Sequence, residues 1–259
     1  MMHKNARQRM IITISAALAI VTILVISIML GSDKNATIPV SSSTKIVIDS
    51  KDTSVFITTE ERVDAYIEQH TSREFEVNES GDAINITTRG KGILQICLPS
   101  WQRTKSITVS TTSGDIVMDT AMTQDIELSS MTGSMMITGT SSTTLRAKSN
   151  SGNIILTDTY TEDTTINNGT GYIRAIGALG NIMAEAKSGS IYVVPTGKNL
   201  ISAKTDSGAI NIISSDRSVS WSTEMGDAMI YGDALPPSGG PEDAEITAFS
   251  TRGDITISE

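Results

Sequence analysis

Cysteine, histidine and aromatic side chains are nearly missing from this sequence. Cys97 is the only cysteine, so no intrachain disulfide can form and a cysteine-based zinc cluster is excluded. A disulfide-stapled secreted domain would show paired cysteines, and their absence fits a bacterial envelope protein better. The two histidines, His3 and His70, leave little for a metal centre or for the general-base work of a hydrolase. Aromatics make up 4% of the 259 residues, so any core must be filled with aliphatic side chains. Ser, Thr, Gly and Ile are abundant instead, which favours many short strands joined by tight turns over a helical bundle.

Positive charge is also in short supply. There are 20 Lys and Arg against 29 Asp and Glu, and Lys4, Arg7 and Arg9 all precede an apolar run, which leaves 17 basic against 29 acidic residues downstream. Such a surface repels phosphate backbones and excludes nucleic acid as a partner. It suits cationic ligands, although solubility alone also accounts for an acidic surface.

The run Met10–Leu30, MIITISAALAIVTILVISIML, holds no charged residue. As a helix its 21 residues span about 31 Å, enough to cross a hydrocarbon core of about 30 Å. A cleaved signal peptide would have a shorter apolar region and a small-x-small site, whereas the run here ends in Ile28-Met29-Leu30-Gly31. No cysteine follows that could take a lipid. The segment therefore reads as a single-pass signal anchor. The positive flank places residues 1–9 in the cytoplasm and everything after Gly31 outside the cell membrane. Residues 31–44, GSDKNATIPVSSST, read as a polar tether with a mean reach of about 20 Å.

An internal repeat decides the fold class. Glycines 114, 133, 152, 171, 189, 208, 226 and 253 are spaced 19, 19, 19, 18, 19, 18 and 27 residues apart. Two and four residues after each stand apolar side chains, from Ile116 and Met118 through Ile154 and Leu156 to Ile255 and Ile257. Seven and five residues before the glycine runs a second alternating pair, such as Ile107 and Val109 or Ile201 and Ala203, with Thr164 and Ile166 as the variant before Gly171. Period-2 alternation on both sides of a turn means two short strands whose inward side chains share a core. Glycine in the turn is expected to supply positive φ. A single unit cannot close its core, so the units must stack into a parallel β-solenoid, eight coils making a rod on the order of 40 Å long.

Upstream, Ile46, Ile48, Val55 and Ile57 fit the same offsets with Thr53 in the glycine's place. Between Glu60 and Pro99 the register is irregular: Val63, Ile67, Phe75, Val77, Ile84, Ile86, Leu94, Ile96 and Leu98 look like strand positions, and Gly81 fits only with an extra residue. The expected organisation is an anchor at 10–30, a tether at 31–44, an irregular N-terminal β region or cap at 45–105, and regular repeats at 106–259. An insertion near 232–245, GDALPPSGGPEDAE, is expected to loop out of the stack because proline cannot donate to a strand ladder.

The strand ILQICLP (Ile93 to Pro99), the unit SITVSTTSGDIVM (Ser106 to Met118), and the SGN, SGS, SGA and RGD forms of the turn resemble the bacterial putative-adhesin family of β-strand repeat domains. That is a domain of unknown function found in envelope proteins. The resemblance covers residue 44 to the C-terminus and implies a right-handed β-helix at the cell envelope. Links of some members to envelope stress responses make a signalling or assembly partner of another membrane protein the alternative role.

The motifs that could carry chemistry have simpler readings. Arg252-Gly253-Asp254 spells an integrin-binding tripeptide but occupies the turn position of Ser113-Gly114-Asp115. Asp115, Asp227 and Asp254 follow repeat glycines and could form a calcium-binding column, yet Ser134, Asn153, Tyr172, Ser190 and Ala209 interrupt it. A polysaccharide-cleaving β-helix would need clustered carboxylates, and a hydrolytic triad would have to be built on His70 without a nucleophile motif. Asn35, Asn78, Asn85 and Asn168 begin sequons that mean little in a bacterium. Cys97 alternates against Leu94, Ile96 and Leu98, so it either faces outward as a modifiable thiol or is a packed small residue. No catalytic, cofactor-binding or metal-ligating residue is assigned and no cofactor is expected. The expected role is a non-catalytic binding, adhesin-like or scaffold module whose partner is an envelope protein, a wall polymer or a cationic ligand.

Overall fold

The computed structural model describes residues 34–71, 74–197, 199–215 and 217–259. The expected anchor, Met10–Leu30, lies outside the described residues. All regular structure among the described residues is β. Strands that follow a repeat glycine stack in parallel as one sheet, here the front sheet, and strands that precede it stack as the back sheet. In the front sheet Ile116, Met135, Ile154, Ile173, Ile191 and Ile210 lie in one column. In the back sheet Ile107, Ile126, Leu145, Thr164, Ile182 and Ile201 do the same. All sixteen apolar positions after the glycines are buried, and the two inner faces form one continuous core. At the fourth back-sheet position the column is met by Thr164, which keeps its hydroxyl satisfied against Thr161 at 2.7 Å.

The glycines serve a different purpose from the one expected. Of the repeat glycines only Gly171 has positive φ. At Gly114, Gly133, Gly152, Gly189, Gly208, Gly226 and Gly253 a Cβ would overlap the backbone carbonyl of the turn stacked beneath it. Glycine is needed because two turns approach at one strand spacing with no room for a side chain. Three residues before the glycine runs a buried polar column that the apolar pattern does not reveal. Thr111 donates to Gly114 O at 2.8 Å, the Gly133 and Gly152 N–H groups donate to Ser130 and Ser149 Oγ at 2.8 and 2.9 Å, and Asn168 Nδ2 donates to Gly152 O at 2.8 Å. These side chains satisfy turn groups that the sheet ladders leave over. The opposite corner has left-handed residues at Thr120, Gly139, Asp158 and Gly177, also one coil apart.

The order of coils in space departs from their order in sequence at both ends. The last strands, Ile246–Ser250 and Ile255–Ser258, insert between the Gly208 coil and the Gly226 coil, pairing with Ile201–Thr205 and Ile210–Ile213 on one side and with Val219–Thr223 and Ala228–Ile230 on the other. Lys45–Ser50 and Thr53–Glu60 likewise pair directly with Thr104–Thr111 and Ile116–Asp119, while Ala83–Arg89 and Gly92–Pro99 stack on their far side. The stack thus has ten coils, about 48 Å at one strand spacing each. Residues 45–60 form a regular coil inside it.

Each end is closed by antiparallel strands. Ala65–Thr71 pairs with Gly92–Pro99, and Glu74–Ser80 with Ala83–Arg89. Gly81, at φ +60°, sits in the turn between the latter two. That is why it did not fit the repeat. Val63, read as a strand position, lies in a connecting loop and is exposed. Part of the expected tether is itself a strand: Lys34–Ile38 pairs with Ala65–Thr71 and buries Ile38, because an apolar residue there completes the cap.

At the other end the 232–245 insertion folds back instead of looping out. Asp233–Leu235 pairs with Ala228–Ile230, and Ser238–Gly239 with Val219–Thr223. The prolines contribute acceptors where they lack donors: Trp221 Nε1–H donates to Pro236 O at 3.0 Å and Thr223 N–H to Pro237 O at 2.7 Å. The insertion thereby covers the edge of the outermost coil, which would otherwise template aggregation.

Two outcomes follow for unfolding experiments. Gly152→Ala should cost about 3 kcal/mol, lowering the thermal midpoint by roughly 6–12 °C, whereas Ser151→Ala in the same turn should leave it within about 2 °C. Deleting residues 235–241 should cost a further-reaching loss of about 3 kcal/mol, from the lost Leu235 packing and two hydrogen bonds, and should raise light scattering on concentration. An unchanged midpoint for the deletion would show that the segment does not cap the stack.

Candidate functional site

In-register stacking turns each outward position into a column of side chains. On the back sheet the column four residues before the glycine reads Ser110, Ser129, Lys148, Asn167, Glu185 and Lys204. The next row towards the turn carries Asn150, Gly169, Lys187 and Asp206. Gly169 stacks over Asn150, whose carbonyl occupies the space a Cβ would need. An open groove of about 830 Å³ lies along these rows, bordered by Lys148, Lys187, Lys204, Glu185, Asp206 and the Asn167–Thr170 segment.

The charges around this groove are left available. Among the described residues Lys148, Lys187 and Lys204 form no ion pair, and Lys204 Nζ lies 5.7 Å from the centre of the Phe249 ring. Asn168, at the groove's edge, is 5% exposed and its Oδ1 has no hydrogen-bond partner. Three lysines in one groove of an acidic domain could not be read from the sequence. They are 56 residues apart from first to last and meet only through the register.

The front sheet is different in kind. Its outward residues include Phe56, Val117, Met136 and Ile155 in one column and Ile176, Val194 and Ile213 in the next, all half-buried. Arg174 lies over the Tyr192 ring at 5.5 Å. Asp119, beside this band, has its carboxyl pKa pushed up by burial.

The sequence motifs resolve into structural parts. Gly253 packs against Gly208 O, and Asp254 Oδ1 accepts the Asp227 N–H at 3.0 Å, so the Arg252-Gly253-Asp254 triplet is a stacked turn. Asp115 Oδ1 accepts the Ser134 N–H at 2.8 Å, Ser134 Oγ accepts from Asn153, and Asn153 Oδ1 accepts from Tyr172. That column ties one coil to the next, which explains why Asp, Ser and Asn interchange there. No cluster of three His, Cys, Asp or Glu side chains able to share a metal ion occurs among the described residues. His70 is buried with Nε2 3.6 Å from Glu68 Oε1, two residues along the same strand. Asn168 is buried, unlike a glycosylation site. Cys97 is on the outward side of its strand and outside the core cluster, yet 2% exposed beneath Thr58 and Gln95. Burial pushes its thiol pKa up, which disfavours the reactive thiolate.

Comparison with known proteins agrees with this architecture. The structure is similar to the crystal structure of a putative adhesin from Bacteroides fragilis, with a TM-score of 0.54 and 16% identity over 88% of this chain and 96% of that one. It is similar also to a protein from Parabacteroides distasonis described as a putative lipid binding protein, with a TM-score of 0.51 and 13% identity over 88% and 98%. At such identities the likeness concerns the fold. No curated protein matches. Residues 43–258 match the family model described as Toastrack DUF4097, and with most of its length inside that model the chain belongs to the Toastrack DUF4097 family.

Proposed function

We propose that this chain is a membrane-anchored, non-catalytic binding module of the cell envelope, held outside the cytoplasmic membrane by Met10–Leu30, and that the back-sheet groove is its ligand contact. The observation that carries the reading is the groove itself: Lys148, Lys187, Lys204, Glu185 and Asp206 surround a hollow of about 830 Å³ with no ion pair among the lysines. Charges held apart on a rigid stack are ready to pair with a ligand without prior rearrangement. The names given to the two similar structures, adhesin and lipid binding protein, both describe binding roles. The groove suits a polar polymer or protein of the envelope better than a purely cationic ligand.

The sequence pattern supports the anchored arrangement, and the position of the cap is compatible with it. Lys34–Ile38 is the outermost strand of the N-terminal cap, and it starts four residues after Leu30. Four residues reach at most about 14 Å. The rod would stand with that cap against the bilayer and the groove further out.

The full-length chain should remain in membranes after alkaline carbonate washing, and Glu127→Cys should react with an impermeant maleimide in intact cells. Detergent-solubilised chain should co-sediment with isolated cell envelopes, and Lys148→Glu with Lys204→Glu should weaken that association about tenfold, the equivalent of 1.4 kcal/mol. Association unchanged by the double substitution would remove the groove as the contact.

A further inference from the structure

We infer that the front face pairs two copies of this chain side by side. Front and back sheets face the same solvent and stack with the same spacing, so solubility asks the same of both outward surfaces. They nevertheless differ. Where the back column offers Ser129, Lys148, Asn167 and Glu185, the front offers Val117, Met136 and Ile155, then Ile176, Val194 and Ile213 one position along. These residues lie outside the core cluster and form one band that crosses the face diagonally. A contiguous apolar surface of this kind marks a place that another surface covers.

Among the described residues no segment lies over it. The 232–245 insertion is already folded onto the terminal coil. A second copy meets the requirements. The whole front face, ten strands of about four residues with the apolar band at its centre, measures about 48 by 13 Å, so two copies paired along its full length would bury on the order of 1,200 Å². That is the lower bound for a specific stable interface. At the centre of the band Arg174 is stacked on Tyr192, the residue types enriched where protein surfaces meet. A two-fold axis along the rods brings like faces together with both N-terminal caps at the same end. Resting on the anchored reading, two copies in one membrane already have that orientation, and confinement raises their effective concentration.

The test uses the full-length chain in its own membrane, in a Cys97→Ser background, with a bismaleimide of about 10 Å to match the spacing of packed sheets. Met136→Cys and Ile155→Cys should each give a self-crosslinked dimer, and Glu127→Cys on the back sheet should not. In detergent, Met136→Glu with Ile155→Glu should shift the protein mass measured by light scattering from dimer to monomer while the circular dichroism spectrum stays unchanged. A monomeric wild type without crosslinks at the front positions would overturn the pairing, as would crosslinking through Glu127→Cys alone or front-face adducts only to a different protein. If the front positions crosslink but carbonate releases the protein from the membrane, the pairing stands and the anchored reading fails.

Discussion

Stacked backbone at the glycine turn is the contact on which the rest of this fold depends. Each turn places a carbonyl oxygen where its neighbour's Cβ would have been, at Gly114, Gly133, Gly152 and onward. Only with that approach can successive coils sit at one strand spacing along both sheets. The inward isoleucines then meet in columns, the Ser, Thr and Asn side chains three residues earlier reach the turn carbonyls and amides, and the outward side chains form rows. Every functional feature described above is a row of this kind. The back-sheet groove draws its border from side chains that the register brings together, and the front band exists because apolar residues repeat in register.

A stack of this type has two exposed ends, and each is closed by the same device. A coil near the chain terminus is placed one position inside the stack, and the outermost coil is covered by antiparallel strands. The first and last coils in sequence are thus gripped on both sides. An ordinary solenoid frays from its terminal repeats. Here the terminal coils are held by neighbours that come from elsewhere in the chain, so local opening at the termini requires disrupting several strands together.

Much of the fold was legible because the repeat is strict where it matters. Ile116, Ile154 and Ile210 stand at one offset from their glycines, and the offset alone places them in the core. Thr53 could be aligned with the glycines for the same reason. What the offset cannot specify is which coil lies next to which, since any coil of this pattern can stack on any other. The 27-residue gap before Gly253 therefore reads in sequence as a loop, whereas it holds the strands that cover the outermost coil and the return of the chain beneath that coil. The left-handed corner stayed hidden because Thr120 and Asp158 share it with Gly139 and Gly177. Lys34–Ile38 was hidden by its polar composition, with Ile38 as the residue that anchors it. The groove lysines were scattered in sequence and became neighbours only through the register.

The transposed order of coils makes the most direct demand on experiment. Amide hydrogen exchange read strand by strand in the native protein would measure it. The structure predicts that Ile246–Ser250 and Ile255–Ser258, despite ending the chain, are protected to the same degree as Thr123–Ser130 and Met135–Thr138, while Val219–Thr223 and Ala228–Ile230 with their covering strands exchange earlier. Loss of protection at 246–258 ahead of 219–230 would contradict the account, because it would place the last coil of the sequence at the end of the stack.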